Sequence, residues 1–200
     1  MSVSAEQIKQ LREQTGAGIK ACRDALEKTG GDVGQAVELL QSQGLAATSK
    51  RLGRETRNGV LELYRHGEGR VGVMIEVNCE TDFVGRTKEF RDFAHEMALQ
   101  VAAAAPRWVA PQDVPTPLVE QETMEARRAA QADGESEKVI EETVAGRIER
   151  FYAETCLLRQ AYIRDESKSV EGLLREVIAT TGENVTIRRF ARWEVGETIE

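Results

Sequence analysis

The fold is decided by the stretch RVGVMIEVNCETDFV, residues 70–84. Its first part, residues 70–78, places valine or isoleucine at alternate positions, which is the period of a β-strand with one buried face. The strand runs directly into CETDFV, residues 79–84, and a helical pattern begins at Thr87. A carboxylate and a large apolar ring therefore stand at the end of a strand.

The residues alone leave two interpretations of this strand end open. In the first, Thr81 or Asp82 caps the following helix, and Phe83 with Val84 closes the core beneath it, which is what such residues usually do. In the second, Asp82 and Phe83 project outward together, with the ring as an anchor and the carboxylate facing a cation or phosphate site on another molecule. Residue types by themselves favour the first interpretation.

The overall composition is typical of a globular protein with a real core. The chain has 200 residues, of which 40% are hydrophobic and 30% charged. Its formal net charge of -7 argues against direct binding of nucleic acid, because such binding depends largely on neutralising phosphates. No apolar run reaches the length of a bilayer span, and the N-terminus lacks signal or transit character. We therefore expect a cytoplasmic protein without membrane contact.

The chain offers little support for catalysis, a cofactor or a metal site. Cys22, Cys79 and Cys156 are far apart and outside any C-x-x-C spacing, so three reduced, buried thiols are expected. The sequence contains no glycine-rich phosphate loop, nucleophile elbow or metal-ligand cluster. Glu80 and Asp82 could bind magnesium, but no base or nucleophile stands beside them. A magnesium-dependent hydrolase is the weaker alternative for this reason.

Residues 1–44 show three short helical patterns separated by glycine-containing turns. Ser4 and Gln7 make a capping box before the first pattern, and Asp32 can cap the third. The spacing resembles the three-helix, UBA-like module best known for binding ubiquitin, although architecture does not fix function. We expect a small docking module, and an adaptor for a ubiquitin-like protein is the alternative function.

The rest of the chain predicts a basic helical linker at residues 45–57 and an α+β core at residues 58–200. A small antiparallel sheet covered by helices, together with a helical hairpin, is the expected architecture of this core. A change of phase near Arg188 suggests a β-bulge in the last strand. The predicted elements are strands at 60–66 and 70–78, a helix at 87–105, a proline-rich connector at 106–117, helices at 118–132 and 136–152, a weak strand at 157–163, a helix at 170–178 and a strand at 184–195.

Three separated motifs resemble the elongation factor Ts family, the guanine-nucleotide exchange factors for elongation factor Tu. These motifs are LREQTGAGIKACRDAL at residues 11–26, VGVMIEVNCETDFV at residues 71–84, and GEN at residues 182–184 followed by IRRF at residues 187–190. They occur in the family's order, and the resemblance extends essentially end to end. It reverses the preference above and favours an outward Asp82 and Phe83.

The resemblance implies a protein that binds elongation factor Tu in its GDP-loaded form, dislodges magnesium and promotes GDP release so that GTP can bind, without being an enzyme. Phe83 would wedge into the nucleotide domain of the partner, with Asp82 beside it. The implied contact residues in the core are Thr81, Asp82, Phe83, Val84, His66, Thr181 and Gly182.

The resemblance also implies an N-terminal docking contact and a dimer. Arg12, Ile19 and Lys20 match the docking surface, but Lys20 stands where the family often has an apolar residue. Longer members of the family contain two related sheet-bearing halves, whereas this chain has only one hairpin with the motif. The short form resembles members that dimerise, so a homodimer is expected.

Overall fold

The computed structural model describes residues 3–15, 19–40 and 51–198. Over these residues the chain is an α+β protein, with helices at the N-terminus and a small antiparallel sheet flanked by further helices, as predicted. No helix in the described ranges is long and apolar enough to cross a membrane.

The N-terminal segment forms helices α1 (Ala5–Thr15), α2 (Ile19–Lys28) and α3 (residues 33–40). The predicted capping box is present: Ser4 N donates to Gln7 Oε1 at 2.9 Å, and Gln7 N donates to Ser4 Oγ at 3.2 Å. Asp32 Oδ1 accepts from Gln35 N at 2.9 Å and so caps α3 as expected. The predicted three-helix segment extends to residue 44, and its residues 41–44 lie outside the described ranges. The buried residues of this segment are Leu11, Cys22, Ala25, Leu26 and Ala36.

The core contains a three-stranded antiparallel sheet and the helices around it. Its elements in chain order are β1 (Asn58–His66), β2 (Val71–Cys79), α4 (Asp82–Gly85), α5 (Lys88–Ala104), α6 (Thr116–Ala132), α7 (Glu137–Thr155), β3 (Ala161–Tyr162), β4 (Asp165–Ser169), α8 (Val170–Thr181) and β5 (Val185–Glu194). The main sheet has the order β1-β2-β5. The sheet therefore joins the strand of the opening motif to both the preceding and the final strand.

The predicted bulge is confirmed in β5. Glu76 of β2 is paired with Arg189, whereas the next residue, Val77, is paired with Ile187. Arg188 is therefore the extra residue, and side chains on either side of it keep their correct faces of the sheet.

Helices α5 and α8 cover one face of the sheet. The alternate residues Val73, Ile75 and Val77 of β2 are buried against Phe90 and other apolar residues of α5, as the period-two pattern predicts. Residues of α8, including Leu174 and Ile178, belong to the same core. One face of β2 is therefore sealed by helices of this molecule.

Helices α6 and α7 form the predicted helical hairpin, with a small core of their own. The hairpin core consists of Ala126, Ala130, Ile140 and Val144, with Ile148 packed against it. Helix α6 begins two residues before the predicted start, because Pro117 fits the first turn of a helix, where no N–H donor is needed.

Two predictions about local structure are wrong. Residues 52–57 of the predicted helical linker form a turn and irregular chain, with Gly53 at φ +90°, while residues 45–50 lie outside the described ranges. The weak strand predicted at 157–163 is a 3₁₀ turn, Leu157–Arg159, followed by the two-residue β3. Strand β4 pairs with β3 and was not predicted, because all five of its residues are exposed and show no apolar alternation.

Candidate partner-binding site

The four-residue helix α4 directs two neighbouring side chains in opposite directions. Thr81 is its N-cap, and the Thr81 hydroxyl accepts a hydrogen bond from Val84 N at 3.4 Å. Val84 is buried in the main core, whereas Phe83 is 78% exposed. The first interpretation is therefore correct for the burial of Val84, while Thr81 caps the short α4 rather than the long helix predicted from Thr87, which Thr87 caps itself. The second interpretation is correct for the outward direction of Phe83.

The Phe83 ring is the most exposed large hydrophobic side chain among the described residues. Its backbone is well held, because Phe83 O accepts from Arg86 N at 3.2 Å and Val84 O accepts from Thr87 N at 2.9 Å. Thr87 then caps α5 by accepting from Phe90 N. The ring thus stands in solvent on a short, doubly capped segment.

Asp82 is exposed beside Phe83, and its carboxylate has a partner in this molecule. Arg86 Nη2 donates to Asp82 Oδ2 at 2.8 Å, an i,i+4 pair with more than half of each side chain exposed. An exposed pair of this kind contributes at most about 1 kcal/mol, so another molecule can compete for either group.

Glu80 does not share a site with Asp82. Its Oε1 accepts from Asn184 N at 2.6 Å and lies 3.6 Å from Arg54 Nη1. Within the described ranges, no group of three or more His, Cys, Asp and Glu side chains could hold a metal ion. Glu80 and Asp82 therefore have separate roles.

Cys79, at the end of β2, lies beneath α4 as a buried thiol. Its Sγ donates to Thr81 O at 3.1 Å. Burial, and after it the negative charge of Glu183, raises the pKa of the Cys79 thiol to about 11. Since the thiolate is the reactive form, this thiol is inert at neutral pH and serves as packing. All three cysteines are buried and none of them is in a disulfide, as predicted.

Thr181 and Gly182 directly precede Glu183, which binds the α4 segment. Gly182 ends α8 in the left-handed conformation at φ +77°, which favours glycine, and is exposed. The following residue, Glu183, binds Thr81 through its carboxylate, with Oε2 accepting from Thr81 N at 2.9 Å. Sequence reasoning found Thr181 and Gly182 through the family motif but missed Glu183, since nothing local signals a contact across 102 positions.

His66 lies at the opposite end of the hairpin from α4. His66 is paired with Val71, whereas the strand end that leads into α4, Cys79, is paired with Asn58. The eight residue steps along the strand correspond to about 27 Å. The structure therefore does not bring His66 to Phe83, and one partner could contact both only by spanning the hairpin. His66 is exposed, and its Nδ1 lies 3.0 Å from the Tyr64 hydroxyl.

The three candidate residues of the N-terminal segment are exposed. Arg12 lies in the last turn of α1, and Ile19 and Lys20 begin α2. Ile19 is 53% exposed. An exposed apolar side chain and two exposed cations are compatible with a small docking surface.

The chain matches a family model and many proteins over almost its full length. Residues 2–197 match the model described as Elongation factor TS. The elongation factor Ts of Caldanaerobacter subterraneus subsp. tengcongensis is 50% identical over 198 residues, which cover 99% of this chain and 99% of that protein. The corresponding protein of Coprothermobacter proteolyticus is 47% identical, covering 98% and 100%, and that of Moorella thermoacetica is 48% identical, covering 98% and 97%. A match to the family model over nearly every residue, together with these identities, shows that the chain belongs to the elongation factor Ts family.

Proposed function

We propose that this protein binds elongation factor Tu loaded with GDP, displaces its magnesium ion and promotes GDP release, so that GTP can bind. The observation that carries this proposal is the exposed Phe83 ring on the capped α4 segment, beside the Asp82 carboxylate. An exposed aromatic side chain on a rigid support is suited to enter a pocket of a partner, because little conformational entropy is lost on binding.

An exchange factor acts by differential binding and needs no nucleotide site of its own. It must bind the nucleotide-free partner more tightly than the loaded partner. By linkage, bound nucleotide lowers the partner's affinity for the factor by the same ratio by which the factor lowers its affinity for nucleotide. In this proposal Phe83 supplies apolar contact in the opened state, and Asp82 supplies negative charge near the magnesium site. Both groups act on the partner, and neither performs covalent chemistry.

The N-terminal segment, residues 1–44, is proposed to dock onto the same partner through Arg12, Ile19 and Lys20. Residues 58–200 would then bring α4 into contact with the nucleotide domain of elongation factor Tu. Thr181 and Gly182 would border this contact, and His66 would contact the partner at a separate place. We infer a cytoplasmic site of action, because this is where translation takes place in bacteria such as those of the relatives above.

Fluorescence-monitored release of labelled GDP from elongation factor Tu tests the function. The expected result is much faster release in the presence of this chain. An adaptor for a ubiquitin-like protein would leave the release rate unchanged and would bind its target through residues 1–44 alone. A magnesium-dependent hydrolase would show activity without any protein partner.

Replacing Asp82 tests the magnesium step. We expect Asp82→Ala to slow stimulated GDP release about fivefold in millimolar magnesium, the size of one exposed electrostatic contact, and to have little effect in EDTA. The control is Arg86→Ala, which removes the other member of the ion pair and leaves the carboxylate free. If wild-type protein stimulates release equally with and without magnesium, the role assigned to Asp82 is incorrect.

We also propose a homodimer formed through the open face of the sheet. The face that the helices leave uncovered carries an apolar strip: Leu61 and Leu63 of β1, Met74 of β2, and Ala191 and Trp193 of β5. Leu63 is 70% exposed and Trp193 64%. Two such faces can pack against each other as a sandwich about 10 Å apart. A second copy of this chain carries the same apolar strip and is the occupant that we propose for this face.

Charge at the centre of this strip is expected to separate the dimer. In the dimer, Leu63→Glu would bury a carboxylate against Met74 and against the apolar strip of the second copy. The mass measured by sedimentation at micromolar concentration should therefore fall from that of two chains to that of one. Met124→Glu, at an exposed apolar position on α6, is the matched control and should remain dimeric. A monomeric wild-type protein, or a dimeric Leu63→Glu variant, would contradict the proposed interface.

A further inference from the structure

Two carboxylates cross between the α4 segment and the junction of α8 with β5. Glu183 Oε2 accepts from Thr81 N at 2.9 Å, and Glu183 Oε1 accepts from the Thr81 hydroxyl at 2.6 Å. In the reverse direction, Glu80 Oε1 accepts from Asn184 N at 2.6 Å. Each segment thus supplies a carboxylate that binds the backbone of the other, and we call this arrangement the carboxylate clamp.

The Glu183 half of the clamp fixes the cap of the helix that carries Phe83. The Thr81 hydroxyl donates its single hydrogen to Glu183 and accepts from Val84 N with a lone pair. Glu183 therefore selects the orientation of the hydroxyl that caps α4. It also satisfies Thr81 N, which precedes the first helical turn and has no partner in α4.

Glu183 itself is held by a rigid part of the fold. It follows Gly182, which ends α8, and it precedes Asn184, which is buried. Asn184 Nδ2 donates to Arg54 O at 2.7 Å, and Asn184 N is bound by Glu80. Glu183 is partly buried, so its charge-assisted hydrogen bonds are weakened less by water than those of an exposed pair such as Asp82 and Arg86.

We propose that Glu183 is a positioning residue for nucleotide exchange, acting through Thr81 to hold Phe83 in its outward orientation. The inference rests on the proposed function, because it assigns Glu183 a purpose only if Phe83 contacts the partner. A rigid support would limit the conformations that Phe83 has to abandon on binding, and this raises affinity for the opened partner. In the absence of the clamp, α4 would be a single helical turn with a freely rotating cap residue.

The test is a double-mutant cycle in stimulated GDP release from elongation factor Tu. Glu183→Ala removes both acceptors, and we expect release to slow about tenfold, the size of one strong hydrogen bond used for positioning. Glu176→Ala is the matched control, since Glu176 is an exposed glutamate on α8 whose carboxylate binds only Lys168. The control variant should release GDP at the wild-type rate.

The cycle separates positioning from stabilisation. If Glu183 acts through Phe83, adding Glu183→Ala to Phe83→Ala should slow release by less than about twofold more. If Glu183 only stabilises the fold, Glu183→Ala would lower the melting temperature. It would also slow release by the same factor whether Phe83 is present or replaced by alanine, and this result would overturn the inference. A Glu183→Ala variant that stimulates GDP release at the wild-type rate would overturn it as well. If Phe83→Ala alone has no effect, the proposed function fails instead.

Glu183→Gln keeps the inference testable if the alanine variant does not fold. Glutamine retains one carbonyl oxygen, which can accept from Thr81 N, but its amide group cannot accept from the Thr81 hydroxyl. We expect a rate of GDP release between those of wild type and Glu183→Ala. The coupling energy between Glu183→Gln and Phe83→Ala should have the same sign as that between Glu183→Ala and Phe83→Ala. Independent effects of Glu183→Gln and Phe83→Ala would contradict the positioning role.

Discussion

Replacing Phe83 with alanine should slow stimulated GDP release from elongation factor Tu by roughly 30- to 1000-fold. This range corresponds to the loss of about 2 to 4 kcal/mol that is typical when an aromatic anchor is removed from an interface. The free energy of unfolding should change by less than about 0.5 kcal/mol, because the ring has few contacts within its own molecule. Stopped-flow fluorescence of labelled GDP and urea denaturation measure the two quantities.

The matched control for this variant is Met124→Ala, which removes an exposed apolar side chain from α6. It should leave the release rate unchanged. Undiminished stimulation by Phe83→Ala would remove the basis for assigning the site to α4. A large loss of stability in the same variant would show that the ring packs on its own molecule.

Replacing Phe90 with alanine should have the opposite pattern of effects. Phe90 is fully buried between α5 and the sheet, so its loss leaves a cavity and should reduce the free energy of unfolding by about 3 to 5 kcal/mol. The fraction that remains folded should stimulate GDP release nearly as well as wild type. Urea denaturation, together with release assays in the absence of denaturant, measures both effects.

Phe83 and Phe90 make a controlled comparison, since the same atoms are removed seven positions apart in one chain. One change should affect exchange without stability, and the other stability without exchange. If both variants lose the two properties in equal proportion, the separation between the contact surface and the core is not valid for this protein.

Regular elements with a buried face were predicted well from the sequence. The alternation of Val71, Val73, Ile75 and Val77 defined β2, because a half-buried strand must repeat every two residues. The bulge at Arg188 was detectable for the same reason, since an extra residue shifts the alternation. In these places local pattern and tertiary packing impose the same requirement.

Elements without a buried face were not predicted. The residues of β4, DESKS, are all exposed, so its pairing with β3 leaves no hydrophobic pattern in the sequence. The irregular residues 52–57 are tied to the core by the bond from Asn184 to Arg54 O, a contact across 130 positions. Such contacts are set by the assembled fold and have no local signal.

The candidate site was only partly accessible to sequence reasoning. Residue types alone favoured a Phe83 that faces the core, which is wrong, whereas the family motif favoured the outward direction that the structure has. The distance of His66 from α4 follows from strand register, which the turn at residues 67–69 determines and which the motif does not encode. Glu183 was missed because its role depends on where Thr81 lies in the fold.

The affinity of this chain for elongation factor Tu, with and without saturating GDP and magnesium, tests the central claim most directly. If α4 opens the nucleotide pocket, the chain must bind the nucleotide-free partner more tightly, and the ratio of the two dissociation constants must equal the ratio by which the chain weakens GDP binding. We expect a ratio of at least about tenfold, a coupling within the usual range, and a much smaller ratio for Phe83→Ala. Equal dissociation constants in the two states would contradict the account.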